Sequence, residues 1–279
     1  MVEIKAADVN RLRQLTGAGL MDCKKALAET GGDLEAAIDF LRKKGAKVSA
    51  LRAGKETKEG VVVALTTADG TRGVICSLNC ETDFVAKNEE FNEFARQVAQ
   101  LALDQNIADL NALLNASLQG ITIQERLAEL VGKIGEKIEL RSFHSCSGAA
   151  VVPYVHSNKK LGVLVLLNKA RTEAVEQVGR EVAMQVAAMN PVAVDQKGVP
   201  QQVIDRELDI AREKARAEGK PEQLVDKIAA GALNKFFKEN TLLSQEFVKD
   251  PKKTVADVLK SVDKELTVVA FYRVTTQEG

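Results

Sequence analysis

Residues 60–78 and 149–167 share one layout, and that duplication limits the possible architectures more than anything else in the chain. The two stretches, GVVVALTTADGTRGVICSL and AAVVPYVHSNKKLGVLVLL, are aliphatic runs broken once by a turn. Val62 falls on Val151, Val63 on Val152 and Gly73 on Gly162 without a gap. Asp69-Gly70 is a hairpin turn signal. Each hairpin leads into an amphipathic helix, the first with Phe91, Phe94, Val98 and Leu101 on one face, the second with Val175, Val178, Val182 and Val186. Each unit later gains one more β-rich segment, KIELRSF at 137–143 and LTVVAFYRV at 266–274. The expected fold class is α+β. It has two related subdomains, 60–145 and 146–279, each a three-stranded antiparallel sheet with a covering helix.

The repeats differ where function tends to sit. From Gly73 to Arg96 the first unit is five residues longer than the second from Gly162 to Arg180. The excess contains Asn79-Cys80-Glu81-Thr82-Asp83-Phe84-Val85-Ala86-Lys87-Asn88, and a lengthened loop on a rigid scaffold is a common place for a binding element.

Ahead of the repeat, residues 1–45 predict three short helices. Asp8 is the expected cap of the first, with Val9, Leu12 and Leu15 as its stripe. Thr16-Gly17-Ala18-Gly19 interrupts, and a second helix runs from about Leu20 to Glu29 with Asp22 in its first turn. Gly31-Gly32 breaks the chain. Asp33 caps a third helix carrying Leu34, Ala37, Ile38 and Leu41, with Gly45 as its stop. Residues 46–59, AKVSALRAGKETKE, read as a linker with a helical start at most. Thr-Gly-Ala-Gly is not a phosphate loop, because it lacks the Gly-Lys-Ser/Thr ending and no strand precedes it.

The second unit carries an insert at about 200–239. Pro200 and Pro221 each open a helix, the first with Ile204, Leu208, Ala211 and Ala215, the second with Val225, Ile228, Ala232 and Phe236. Neither helix is stable alone at this length, so the two pair as an antiparallel hairpin, a passive brace or a contact arm.

Composition narrows the function classes. Lys+Arg and Asp+Glu are both 39, so there is no global basic excess to neutralise phosphates. Trp is absent and aromatic residues are 4%, against a base-stacking surface. No apolar run approaches the roughly 20 residues of a membrane span, and the N-terminus lacks the apolar stretch of a secretory signal. The expectation is a cytoplasmic, reduced protein that binds neither nucleic acid nor membrane. Its four cysteines, Cys23, Cys76, Cys80 and Cys146, are too few for a disulfide scaffold.

No catalytic order of Ser, His and Asp, Walker motif or dinucleotide fingerprint is visible. Cys76-x3-Cys80 with His144-x-Cys146 has loose zinc spacing, but Cys76 sits in an apolar strand and buried free cysteine behaves as a small hydrophobe. His156 belongs in or beside the sheet. The expectation is no metal, no cofactor and no enzyme. An adaptor or chaperone reading uses the helical head and the hairpin but gives the lengthened loop no role.

Cys80-Glu81-Thr82-Asp83-Phe84-Val85-Ala86-Lys87-Asn88 resembles the Thr-Asp-Phe-Val signature of the elongation factor Ts family. Leu12 to Leu27 (LRQLTGAGLMDCKKAL) is similar to that family's N-terminal signature, and Gln245 to Asp250 (QEFVKD) to a third motif. The three are correctly ordered and span nearly the whole chain. The head also resembles a ubiquitin-associated-type domain, and the family resemblance implies that the helical hairpin at about 200–239 is an antiparallel coiled-coil protrusion. The resemblance implies a guanine nucleotide exchange factor that binds GDP-loaded elongation factor Tu, as a heterodimer or a dimer of heterodimers, and disturbs the partner's Mg²⁺ site. It implies that Thr82, Asp83, Phe84 and Val85 form the element that dislocates this metal, and that Arg13, Leu20 and Met21 of the head contact the partner. Some family members carry a further C-terminal helix, and that contact is not carried over here.

Overall fold

The computed structural model describes residues 4–277, so the first three residues of the N-terminal stretch and the last two of the second unit lie outside the described residues. The head comprises α1 (Ala6–Thr16), α2 (Leu20–Glu29) and α3 (Leu34–Leu51) around a small core of Val9, Leu12, Cys23, Ala26, Leu27 and Ala37. Gly17, at φ 65°, ends α1 by donating its N–H to the Arg13 carbonyl. Asp33 Oδ1 accepts from Ala36 N–H and caps α3.

Three expectations for the head are corrected. Lys5, not Asp8, is the N-cap of α1, and Asp8 lies in the first turn, where its charge faces the helix dipole. Leu15 is 59% exposed, because the core closes on Val9 and Leu12 and the helix ends one residue later. Gly45 does not stop α3, which continues to Leu51 through half of the expected linker. A mid-helix glycine costs about 1 kcal/mol relative to alanine. It is required here because a Cβ at Gly45 would lie 2.6 Å from the Ala128 carbonyl oxygen of a neighbouring helix.

The body begins with β1 (Glu59–Thr66) and β2 (Arg72–Cys80), then α4 (Asp83–Ala86), α5 (Glu89–Asp104) and α6 (Leu110–Asn115). A small ribbon, β3 (Ser117–Leu118) and β4 (Ile121–Thr122), leads into α7 (Ile123–Ile134), the helix that α3 packs on, and then β5 (Ile138–Ser147). The second unit follows with β6 (Ala150–Val155), β7 (Leu161–Leu167) and α8 (Glu173–Met189). Helices α9 (Gln201–Ala217) and α10 (Glu222–Asn240) form the insert. Strands β8 (Glu246–Phe247) and β9 (Asp250–Thr254), α11 (Val255–Val262) and β10 (Val268–Thr275) complete the described chain.

Two three-stranded antiparallel sheets result, in the orders β1-β2-β5 and β10-β7-β6. Pro153, which has no N–H to give, lies on β6 at an edge. The sheets pack face to face on Val62, Ile75, Val151, Leu164, Leu166 and Val274. The alternate residues face outward, toward α5 in the first unit and α8 in the second. Gly73 and Gly162 lie in the shared layer. A Cβ on Gly73 would be 2.6 Å from Val151 Cγ1, and one on Gly162 would be 2.7 Å from Val62 Cγ1. These contacts are reciprocal between the two repeats.

In the insert, α9 turns Ala215 inward with Ile204, Leu208 and Ala211 partly covered. The stripe on α10 departs from the expected one. Val225, Ala229 and Phe237 are buried, whereas Ile228 is 36% exposed and Ala232 is exposed. Arg212–Asp226 at 2.9 Å and Arg216–Glu222 at 2.6 Å bridge the two helices at exposed positions beside the seam. Both prolines occupy the N-cap, one position before that expected.

Candidate partner-binding loop

Strand β2 ends at Cys80, whose buried side chain anchors the lengthened connection. Beneath it, Asn79 Nδ2 donates to the carbonyls of Thr57 and Thr276, each at 2.9 Å, and so ties three distant segments together. The loop is ordered by local polar contacts. Thr82 is the N-cap of the single-turn α4, its Oγ1 accepting from Val85 N–H at 3.5 Å. Asn88 caps α5 by accepting from the amides of Glu90 and Phe91. Asn92 Nδ2 donates to the Ala86 carbonyl at 2.7 Å, closing the connection onto α5.

Within that frame Val85 and Ala86 pack against the first unit's core, while Phe84 is 82% exposed. Asp83 pairs with Lys87 at 2.6 Å across one turn. The hydrogen bond from Lys87 holds the Asp83 carboxyl below its usual range. Thr82 is gripped from another element: its N–H donates to Glu136 Oε2 at 3.0 Å and its Oγ1 to Glu136 Oε1 at 2.7 Å. Glu81 receives Arg52 Nη1 at 2.9 Å on both oxygens and the Lys137 N–H at 2.6 Å. Partial burial pushes the Glu81 carboxyl up, but the Lys137 amide and Arg52 outweigh it and hold it below the ordinary value. A cleft of about 550 Å³ opens beside the loop, between Asp83 and Lys87 on one side and Lys159 and Lys160 on the other.

Arg13 is exposed in the last turn of α1, and Leu20 and Met21 are 49% and 73% exposed at the start of α2. The intervening turn lies against α7: a Cβ on Gly17 would be 2.7 Å from Lys133 Nζ. Lys133 also binds Glu90 at 2.6 Å, in the first turn of α5. The head's turn and the segment just after the Phe84 loop therefore meet at one lysine.

The third motif is held differently. The buried Gln185 of α8 donates to Gln245 Oε1 and the Glu246 carbonyl and accepts from Val248 N–H at 2.8 Å. Phe247 is buried, and Val248 is 54% exposed beside a cleft of about 350 Å³ that includes Tyr154, His156 and Met184.

The candidate zinc ligands separate by strand alternation. Cys76 and Cys80 face the α5 side, while Cys146 lies against the layer between the sheets and His144 stacks on Tyr272 at 5.0 Å. Among the described residues no three His, Cys, Asp or Glu side chains gather as a metal site. His156 bonds Tyr154 OH at 2.9 Å. No helix among the described residues is long and apolar enough to cross a membrane.

Sequence reasoning missed Glu136, Arg52 and the paired glycines Gly45 and Gly132. The available signal for the first was Gly135, a helix stop at φ 81° that places Glu136 at the foot of β5.

The family described as Elongation factor TS matches residues 81–278. The elongation factor Ts of Amoebophilus asiaticus is 53% identical over 271 residues, covering 97% of this chain and 98% of that one. That of Christiangramia forsetii is 50% identical over 274 residues, covering 98% and 99%. That of Chlorobium chlorochromatii is 44% identical over 283 residues, covering 98% of each.

Proposed function

The chain belongs to the elongation factor Ts family of translation elongation factors, and from that premise we propose that it is a guanine nucleotide exchange factor for elongation factor Tu. It binds the GDP-loaded GTPase and speeds GDP release, and it makes and breaks no covalent bond itself. The observation that carries this reading is Phe84, 82% exposed on a turn whose other residues are all tied down. Burying a phenylalanine side chain contributes about 1.5–3 kcal/mol, so a pocket on a partner gains from taking it. In P-loop GTPases a metal ion bridges the nucleotide's phosphates to the protein. Phe84 enters between helices beside that metal site, and Asp83 exchanges its Lys87 contact for a polar group of the partner. Thr82 and Val85 hold the turn in shape. Arg13, Leu20 and Met21 of the head provide a second contact.

Linkage fixes the rest of the cycle. If the factor weakens GDP binding, GDP weakens the factor's binding by the same ratio. Fresh nucleotide therefore displaces the factor, which does not choose the nucleotide. A thousandfold faster release needs about 4 kcal/mol off the barrier, within reach of an interface with a few buried anchors.

The test is release of fluorescent GDP from elongation factor Tu with and without the chain. Acceleration that disappears in Phe84→Ala supports the reading. A release rate indifferent to the chain overturns it.

A further inference from the structure

The Phe84 turn hangs from two helix ends. Helices α3 and α7 pack with Gly45 and Gly132 opposed, so closely that a Cβ on Gly132 would lie 2.8 Å from Gly45 Cα. Arg42 and Glu129 bridge the same pair at 2.9 Å. The C-cap of α3 is Arg52, which binds Glu81. Just past the C-cap of α7 stands Glu136, which takes both polar hydrogens of Thr82. Of the two residues immediately before Asp83, Thr82 is thus held from the α7 side and Glu81 from both, by Arg52 and by the Lys137 N–H at 2.6 Å.

We infer that α3 and α7 form a bracket that positions Phe84, with Glu136 acting through Thr82 and Arg52 acting through Glu81, so that the seat of the N-terminal head sets the pose of the loop. The geometry excludes a head that swings freely on a linker, since α3 belongs at once to the head's core and to the bracket. Its consequence for nucleotide exchange rests on the reading of Phe84 above. Glu136 and Arg52 are positioning residues: each reaches Phe84 only through the backbone of its neighbours. The bonds of Thr82 to Glu136 and of Arg52 and the Lys137 N–H to Glu81 are charge-assisted and partly shielded, the stronger kind of hydrogen bond. A head engaged by a partner transmits force to the loop through α3 without any change in the sheets.

The experiment is amide hydrogen exchange in the free full-length chain, read at Thr82, Ala86 and Lys87, whose N–H groups bond within the turn or to Glu136. Glu136→Gln keeps the shape but removes the charge and one of the two acceptor oxygens, so that at most one neutral bond from Thr82 is accepted on the remaining oxygen's side of the group. It is expected to speed exchange at these amides by about tenfold, the factor for one lost hydrogen bond. Gly45→Ala pushes α3 off Ala128 and is expected to loosen the same amides from a distance. Gly54→Ala is the control, since a Cβ there meets nothing within 4 Å. Unchanged protection of the turn in Glu136→Gln overturns the inference, and so does a Gly45→Ala chain that folds with the turn still protected. GDP release is measured on the same samples. A turn loosened by Glu136→Gln with exchange stimulation intact supports the bracket in the free chain and overturns its consequence for nucleotide exchange, while Phe84→Ala in the same assay tests Phe84 separately. Loosening together with a loss of stimulation of about tenfold supports both.

Discussion

Three phenylalanines within eleven positions have two fates. Phe91 is fully buried and Phe94 nearly so, packed under the first sheet, while Phe84 is 82% exposed. Phe84→Ala is expected to leave the melting temperature within about 2 °C of the parent, since surface changes stay near ±0.5 kcal/mol. Stimulated GDP release should fall at least about tenfold, a 1.4 kcal/mol change in barrier. Phe91→Ala should instead cost about 3–5 kcal/mol of stability. Calorimetry and stopped-flow release on the two variants check this, and a melting collapse in Phe84→Ala would place that ring in the core. The distinction was legible in sequence because Phe91 and Phe94 follow helical spacing and Phe84 lies in the unmatched loop. Glu136 was not legible: its partner Thr82 is 54 residues away, and no periodicity marks a bond between two loops. The cysteines give a pH prediction. Burial pushes the Cys76 and Cys80 thiols up to about 12 and Cys146 to about 11, from an ordinary 9.0. A thiol kept neutral by the fold adds stability below the ordinary value and loses it as pH rises toward the folded one. The native chain should resist alkylation at pH 8 at these three positions and lose thermal stability progressively above pH 9. Mass-resolved labelling and melting curves across that range decide the matter.

At the scale of elements, the repeat predicts a surgical test of the loop. The five-residue excess divides into two residues of strand and three of connection: β2 has nine residues against seven in β7, and eight residues against five separate strand from helix. The cut must therefore fall after Cys80, which is buried and paired with Glu59 and Ile138. Replacing Glu81–Lys87 with the four residues Asn168–Arg171 keeps the sheet and removes the turn. The chimera should fold, bind elongation factor Tu more weakly, and leave GDP release at its unassisted rate; normal stimulation would move the active surface elsewhere. The hairpin's existence was legible from its prolines and spacing, but its seam on α10 was not. Leu224, Val225, Ile228, Ala229 and Ala232 offer two overlapping stripes, and periodicity alone cannot choose between them. Burial makes the choice: Val225 and Ala229 are at most 1% exposed, whereas Leu224 and Ile228 are 47% and 36% exposed. Ala229→Glu should destabilise the hairpin by at least about 2 kcal/mol, because the charge has no partner in the seam. Ala232→Glu should change little. Hydrogen exchange over 201–240 compares them directly, and equal effects would return the seam to the other stripe.

The molecule as a whole is two copies of one hairpin laid face to face. Pairing of Val62 with Ser77 and of Thr66 with Gly73 corresponds, position for position, to Val151 with Leu166 and Val155 with Gly162. That equivalence was legible, because a gapless alignment of the repeats fixes matching registers. The packing of one sheet on the other was not read from the sequence: a covering helix accounts for one face of each sheet, and Ser77 and Asn79 interrupt the apolar run of β2. A repeat alone does not say that its copies touch. The reciprocal glycines now make the contact testable. Gly162→Ala would set a methyl 2.7 Å from Val62 Cγ1 and 3.1 Å from Ile75 Cδ1, both buried side chains. Overpacking of this kind costs about 1–3 kcal/mol. Val62→Ala removes the obstructing methyl and is itself destabilising through the cavity it leaves. The double variant should be more stable than the sum of the two single losses predicts, with a favourable coupling of about 1 kcal/mol, because each change supplies what the other lacks. Gly73→Ala with Val151→Ala should behave alike, since Gly73 meets Val151 Cγ1 at 2.6 Å. Crossed pairs, Gly162→Ala with Val151→Ala and Gly73→Ala with Val62→Ala, share no contact of this kind and should be additive within about 0.5 kcal/mol. Urea unfolding of the four singles and four doubles measures every term. Additivity in all four doubles would mean that the two sheets do not interlock through these glycines.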